Sequence, residues 1–269
     1  MSELFSVRNG RGRPIVVLHG GLGLDHTYMR ALDRIADVTE LVYVDVRGNG
    51  RSPRDRIETQ TLESFADEID ALRAELGFER WTVLGHSFGS FIALVYAIRH
   101  PDRVAALIAI SSTPSFEHAP SVLERIGKRG HPDAAAALGA VACRPANDDA
   151  RFGEVWTQIL PLYFHQWNAR YLAAFAETHY SAVGYNRGNE LLATYDVRTE
   201  VARITSPTLL LAGDDDFITP ADRCTAALAK CIPHARLAVI PNAGHFPHIE
   251  APVAFDAELR AWLTSAPRT

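Results

Sequence analysis

Gly85-His86-Ser87-Phe88-Gly89 sits between the apolar run Trp81-Thr82-Val83-Leu84 and the run Ser90-Phe91-Ile92-Ala93-Leu94-Val95-Tyr96-Ala97-Ile98. The first run reads as a buried strand and the second as a helix. A G-x-S-x-G at such a strand-to-helix junction is a nucleophile elbow. The turn is so sharp that glycine is needed two residues to either side of the serine, where a Cβ would collide with neighbouring backbone. It lifts the Ser87 hydroxyl clear of the strand end. It also aims the positive end of the following helix at any oxyanion formed there.

Strand-like and helix-like segments alternate on both sides of the elbow. Pro14-Ile15-Val16-Val17-Leu18-His19 is a short apolar run ending at glycines, and Leu24 to Val38 reads as a helix. Leu41 to Val46 is the next strand and ends at the turn Arg47-Gly48-Asn49-Gly50. From Leu62 to Leu76, the residues Phe65, Ile69, Leu72 and Leu76 recur on one helical face, and Gly77 stops the helix. The elbow helix closes at His100-Pro101, and Val104 to Ile110 is another buried strand. This rhythm predicts an α/β fold with a mostly parallel sheet flanked by helices.

The rhythm breaks between Pro114 and about Glu200, where no clear strand appears. Ala134 to Ala142 and Trp156 to Tyr180 read as helix, the latter interrupted near Pro161. Residues 1–113 and 201–269 therefore form the expected core domain, with 114–200 inserted as a helical cap. The insertion carries nearly half of the chain's aromatics, among them Phe152, Trp156, Tyr163, Phe164 and Tyr185. That density suits both a helical subdomain core and an apolar pocket over Ser87. The alternation resumes with a strand at Thr208 to Gly213. A helix is expected from Pro220, with Thr219 as its N-cap and Asp222 as acidic partner. Leu237 to Ile240 is the last strand and Pro252 to Leu263 the last helix.

Composition narrows the function classes. A net charge of −5 over 269 residues offers no clustered basic footprint for nucleic acid. No apolar run approaches the ~20 residues of a membrane span. Met1 to Val7 lacks a basic, then apolar leader pattern, so no signal peptide and a cytoplasmic location are expected. Cys143, Cys224 and Cys231 match no metal spacing and read as free thiols of a reducing compartment. No G-K-[ST] phosphate loop occurs. The expected partner is a small-molecule substrate; monomer and homo-oligomer both stay open.

A serine hydroxyl is a weak nucleophile and needs a base, which in turn needs an orienting acid. Both should follow Ser87 on loops at the carboxyl ends of strands. Asn242-Ala243-Gly244-His245-Phe246 follows the last strand and supplies His245 as base, with His248 as its rival. Asp214, Asp215 and Asp216 follow the preceding strand and compete for the acid role. An oxyanion hole needs two preorganised N–H donors. Phe88, after the nucleophile, gives one. The glycine turn His19-Gly20-Gly21-Leu22-Gly23 gives the other through Gly21, with His19 shaping the loop. His86 either lines the pocket or plays a structural part.

Together, His19-Gly20-Gly21, Asp45-Val46-Arg47-Gly48-Asn49-Gly50-Arg51-Ser52, Gly85 to Gly89, Gly213-x-x-Asp216-x-x-x-Pro220 and Asn242-x-Gly244-His245 resemble the α/β-hydrolase superfamily over nearly the whole chain. The resemblance places the acid three residues after Gly213, which selects Asp216. Within the superfamily the chain looks most like the proline iminopeptidase-like and small esterase or lactonase branch. Leu22, where those peptidases usually carry proline, and Phe88, where they carry tryptophan, depart from the peptidase pattern. The resemblance implies acyl transfer to water without metal or organic cofactor. Ester or lactone hydrolysis ranks first, and an aminopeptidase second, since that activity would need cap carboxylates such as Glu117, Glu124, Glu154, Glu177 or Glu190 to hold an ammonium. A ligand-binding protein with little turnover is the third reading.

Overall fold

A computed structural model of the chain describes residues 3–142 and 145–265. Cys143 lies outside the described residues; Cys224 is a buried free thiol and Cys231 an exposed one. Seven strands form one sheet: β1 (Ser6–Gly10), β2 (Pro14–Leu18), β3 (Glu40–Val44), β4 (Trp81–His86), β5 (Val104–Ile110), β6 (Thr208–Gly213) and β7 (Arg236–Ile240). Their spatial order is β1-β3-β2-β4-β5-β6-β7. β1 runs antiparallel to β3, and every other pair is parallel.

The order explains where a site can form. β3 lies on one side of β2 and β4 on the other, so the chain reverses direction across the sheet at β2. Loops leaving β2 and β4 diverge there and open a crevice at the carboxyl edge, the usual ligand position in an open α/β sheet. The His19 to Gly23 turn and Ser87 leave these two strands.

Both sheet faces are apolar, and alternate residues supply them. Ile15 and Val17 of β2 join one buried cluster with Tyr28, Leu84, Ile108 and Leu211. Val16 and Leu18 join the other with Val83, Leu107 and Leu210. The second face is packed by α1 (Leu62–Glu75) and α2 (Phe88–Arg99), and α1 opens with a reciprocal capping box between Thr61 and Ser64. The expected helix over Leu24 to Val38 is a 3-10 helix, confined to Thr27–Ile35.

Between β5 and β6 the chain forms α3 (Ala119–Ile126), α4 (Pro132–Ala142), α5 (Asp149–Ile159) and α6 (Ala182–Leu192). The long helix expected from Trp156 to Tyr180 is instead the end of α5, a 3-10 turn at Leu160–Tyr163 and a 3-10 helix at Ala169–Phe175. Pro161 stands in the first of these turns, where it needs no backbone donor. The apolar side chains of this region do not form a separate core: Phe152, Trp156, Phe164 and Phe175 belong to the cluster that contains Ile108 and Leu211.

After β6 the expected helix start at Pro220 is displaced: α7 spans Thr225–Cys231. Thr219 is turned to Asp216 instead, its amide and hydroxyl donating to that carboxylate at 3.0 and 2.7 Å, and the N-cap position of α7 is Cys224, which makes no side-chain cap bond. α8 (Pro247–Glu250) and α9 (Pro252–Ser265) close the described chain. No helix of the described residues is long and apolar enough to cross a membrane.

Candidate active site

Ser87 lies at φ 51°, ψ −121°, a backbone conformation that is strained for any residue with a Cβ. The surroundings enforce it. A Cβ on Gly85 would overlap the Gly89 carbonyl, and one on Gly89 would overlap the carbonyls of Leu18 and His19. Backbone therefore approaches backbone on both sides of the serine. The turn is fastened from outside by the Ser87 amide donating to the Ile110 carbonyl at 2.9 Å. Ser90 Oγ donates to the Ser87 carbonyl at 2.5 Å.

The structure brings the predicted residues together. Ser87 and His245 line one cavity, and His245 Nδ1 lies 2.8 Å from Asp216 Oδ2. Asp216 is buried and receives four hydrogen bonds. Oδ1 accepts from the Ile218 amide at 2.9 Å and the Thr219 amide at 3.0 Å; Oδ2 accepts from Thr219 Oγ1 and His245 Nδ1. Burial pushes the Asp216 carboxyl up, but the facing His245 and the Thr219 donors outweigh it and hold the acid well below the carboxylate range. An ionised carboxylate can only accept, so His245 Nδ1 carries a proton toward it, which in the neutral imidazole leaves the lone pair on Nε2. The two rival acids are committed elsewhere. Asp214 accepts from the Ala243 amide at 3.2 Å, and Asp215 pairs with Arg129 at 2.7 Å and His165 at 3.1 Å. The rival base His248 lies in α8, fully buried, and neither ring nitrogen has a hydrogen-bond partner among the described residues.

Gly21 and Phe88 both line the cavity. Neither amide has a hydrogen-bond acceptor among the described residues. Gly21 holds φ +66°, and Phe88 opens α2, so both amides belong to turns that cannot use them internally. His19 ties this turn to the end of β3: its Nε2 accepts from the Val46 amide at 3.2 Å, which leaves Nδ1–H to donate to the Gly20 carbonyl at 3.0 Å.

His245 is pinned by His86, which the sequence left between a pocket and a structural part, by the backbone of Tyr163, and by Ser111, which sequence reading did not single out. The His245 amide donates to the Tyr163 carbonyl at 2.7 Å. Its carbonyl accepts from His86 Nε2 at 2.8 Å and from Ser111 Oγ at 3.1 Å. Ser111 itself sits at φ 52° just beyond β5. The polar run Ser111-Ser112-Thr113 at the end of a buried strand was the one sequence signal for it.

The cavity measures about 500 Å3, within the range of small-molecule sites. Phe116, Phe152, Trp156, Tyr163 and Tyr185 line it from the 114–200 region, together with Val122, Ile126 and Leu138. Phe164, Tyr171 and Phe175 turn away and stack into the core, Phe164 on Tyr171 and Phe175 on Tyr28. No Asp, Glu, Lys or Arg is among the described residues that line the cavity.

Among the described residues, one group of carboxylates and imidazole is close enough to share a cation: Asp25, His26 and Asp45, all buried. Protein donors already occupy them. Asp45 takes His26 Nδ1 at 2.7 Å and the Arg51 amide at 2.9 Å, while Asp25 takes the Thr27 and His179 amides at 3.0 and 2.9 Å. The Asp45 to Ser52 motif thus braces the loops beside the site, with Ser52 Oγ donating back to the Asp45 carbonyl at 2.5 Å.

Comparison with known proteins agrees with this architecture. A proline iminopeptidase, PfmaB, from Pestalotiopsis fici is 29% identical over 245 residues, covering 88% of this chain and 86% of that protein. A RutD protein from Pseudomonas savastanoi pv. phaseolicola, whose name ties it to carbamate hydrolysis, is 30% identical over 267 residues, 94% of each chain. Among solved structures, an alpha/beta fold family hydrolase from Bacillus anthracis str. Sterne superposes with a TM-score of 0.78 at 19% identity, covering 96% of this chain and 94% of that one. The sequence pattern of the alpha/beta hydrolase fold matches residues 13–252, and the chain is a member of that family of hydrolase enzymes.

Proposed function

We propose that the protein is a cytoplasmic serine hydrolase that cleaves carboxylic ester or lactone bonds of small, partly apolar substrates, with residues 114–200 as the cap over its site. His245 Nε2 takes the Ser87 proton as Oγ attacks the carbonyl carbon. The amides of Gly21 and Phe88 hold the tetrahedral oxyanion. Collapse breaks the bond to the leaving oxygen, which His245 protonates, and leaves an ester on Ser87. Water, deprotonated by the same imidazole, then cleaves that ester. The proton taken from Ser87 leaves on the departing oxygen and one from water restores the Ser87 hydroxyl, so the enzyme ends unchanged and the cycle needs no cofactor.

The uncharged, aromatic-lined cavity carries the substrate reading. A substrate with a free ammonium would be stripped of water there without a carboxylate to receive it, which costs several kcal/mol. The cap glutamates do not supply one. Glu117, Glu124, Glu154 and Glu190 pair with Arg198, Lys128, Arg151 and Arg187, and Glu177 is exposed. None of the five lines the cavity.

The test is turnover of p-nitrophenyl acyl esters, a small lactone panel, an aryl carbamate and proline p-nitroanilide, with Ser87→Ala as control. Ester or lactone hydrolysis that vanishes in Ser87→Ala supports the reading. Preferred cleavage of the anilide would replace it with the aminopeptidase, the activity that the Pestalotiopsis relative's name carries. Wild-type protein that neither turns over nor reacts with a fluorophosphonate probe would make it a binding protein.

A further inference from the structure

We infer that Tyr28 and His86 form a one-way hydrogen-bond chain that positions the oxyanion turn and the base loop relative to each other, a device resting on the hydrolase reading above. Three contacts build it. The Gly20 amide lies 2.6 Å from Tyr28 Oη, Tyr28 Oη lies 2.8 Å from His86 Nδ1, and His86 Nε2 lies 2.8 Å from the His245 carbonyl oxygen. All four residues are buried, Tyr28 and His86 completely.

The direction of each bond follows from its ends. A carbonyl oxygen only accepts, so His86 Nε2 carries a proton. Burial, reinforced by the neighbouring His245 and His248, holds His86 well below the ordinary imidazole range and keeps it neutral, which makes Nδ1 an acceptor. Burial likewise keeps Tyr28 a protonated phenol, so its hydroxyl donates to Nδ1. The phenol oxygen is left to accept from the Gly20 amide. Each group has one role, and no alternative arrangement satisfies all of them.

The two ends of the chain matter. Gly20 precedes Gly21, to whose amide the proposed function gives the oxyanion, and the far end is the carbonyl of His245 itself. Between them the chain runs through His86, the residue before Ser87. The distance between oxyanion donor and base is thereby set by side chains from the first 3-10 helix and the elbow strand, independently of substrate. The outer face of the Tyr28 ring is stacked on Phe175 of the cap region, with centroids 5.5 Å apart. Removing the hydroxyl alone leaves that packing in place.

The experiment compares Tyr28→Phe, His86→Leu and the double variant with wild type, by steady-state ester hydrolysis and thermal melting. Tyr28→Phe is expected to lower kcat by about 10- to 100-fold, since misplacing preorganised groups by fractions of an ångström acts on the transition state. KM should stay within about twofold, because the cavity walls are unchanged. The double variant should be no worse than the poorer single one, as expected for two links of one chain. A Tyr28→Phe enzyme with kcat within about twofold of wild type would overturn the proposal. So would losses in the two single variants that multiply in the double. Should His86→Leu fail to fold, the kcat-against-KM split of Tyr28→Phe decides alone. Ser87→Ala, run alongside, separates the two readings: residual turnover there sinks the hydrolase mechanism, whereas a dead Ser87→Ala with a fully active Tyr28→Phe sinks only the chain.

Discussion

Replacing Asp216 with asparagine should lower kcat for ester hydrolysis by about 10⁴-fold, equivalent to about 5.5 kcal/mol in the barrier. The magnitude rests on which way the new amide must point. Asp216 Oδ1 accepts from two backbone amides, Ile218 and Thr219, at 2.9 and 3.0 Å. An asparagine that turned its NH2 toward them would oppose donor to donor twice, so its oxygen is fixed at the Oδ1 position. The NH2 group then takes the place of Oδ2 and faces His245 Nδ1, 2.8 Å away in the wild type. A donor there forces Nδ1 to accept, and the imidazole proton moves to Nε2, the nitrogen that must take the proton of Ser87. The base is thus held in the tautomer that cannot act. Thr219 Oγ1 donates to Oδ2 in the native protein and must rotate, a cost of about one neutral hydrogen bond, so folding should survive. The assay is kcat on a p-nitrophenyl ester, with the rate of fluorophosphonate labelling as a direct report on Ser87 nucleophilicity and thermal melting as the folding control. Asp214→Asn and Asp215→Asn serve as comparisons, since these carboxylates face the Ala243 amide and Arg129 rather than the imidazole. A folded Asp216→Asn enzyme retaining more than about a tenth of wild-type kcat would refute the assignment of the acid.

Acid should destabilise the fold earlier than carboxylate titration alone would. Burial pushes His248 down to about 3 and holds His19 and His86 below the ordinary 6.5. Below pH 6.5 the unfolded chain binds protons that the folded chain refuses. The stability present above 6.5 is therefore lost as pH falls, for His248 down to about 3, at about 1.4 kcal/mol per pH unit for each such histidine. Urea midpoints measured at pH 7, 6 and 5 should decline, and His248→Leu should flatten the slope; an unchanged midpoint across that range would contradict the buried neutral imidazoles. Two glycine-to-alanine changes should have opposite signs. Gly89→Ala places a Cβ on the Leu18 and His19 carbonyls and should abolish the folded, labelled enzyme. Gly139→Ala, in α4 with open space around it, should raise stability by about 0.5–1 kcal/mol in the same melting assay.

What could be read from the chain tracks how local the determining physics is. The strands β5 and β6 were legible to the residue because a run such as Thr208 to Gly213, apolar on both faces and ended by glycine, has few other places to go in an α/β chain. The elbow was legible because its glycines stand two residues to either side of the serine, a pattern written within five positions, even though the carbonyls that Gly89 must clear belong to Leu18 and His19. β1 was not: Ser-Val-Arg-Asn-Gly carries no apolar alternation, and its strand state comes from pairing antiparallel with β3, whose register only the fold supplies. The region from 149 to 175 defeated periodicity for a related reason. Its aromatics answer to the cavity and to the Tyr28–Phe246 cluster rather than to one helix face, so the 3.6-residue pattern is blurred and the chain breaks into short turns.

The same distinction runs through the site. Choosing among three consecutive aspartates needed family spacing, because the feature that separates them is the set of four donors converging on Asp216, and Thr219 was claimed in sequence by a more familiar capping role. His86 shows the limit most sharply. Its position beside the nucleophile is plain in the sequence, yet its partners lie 58 and 159 residues away, at Tyr28 and His245. A buried histidine with one nitrogen committed to a 3-10 helix and the other to the base loop looks in sequence like any pocket-lining histidine. The contrast with His248 is informative, since that imidazole is equally buried, 5.0 Å from the His86 ring, and bonded at neither nitrogen among the described residues. Burial therefore does not by itself make a histidine part of the machinery. What distinguishes His86 is that its two bonds end on groups whose separation fixes the reaction geometry, and a variant that keeps its volume while losing those bonds is the perturbation that exposes the difference.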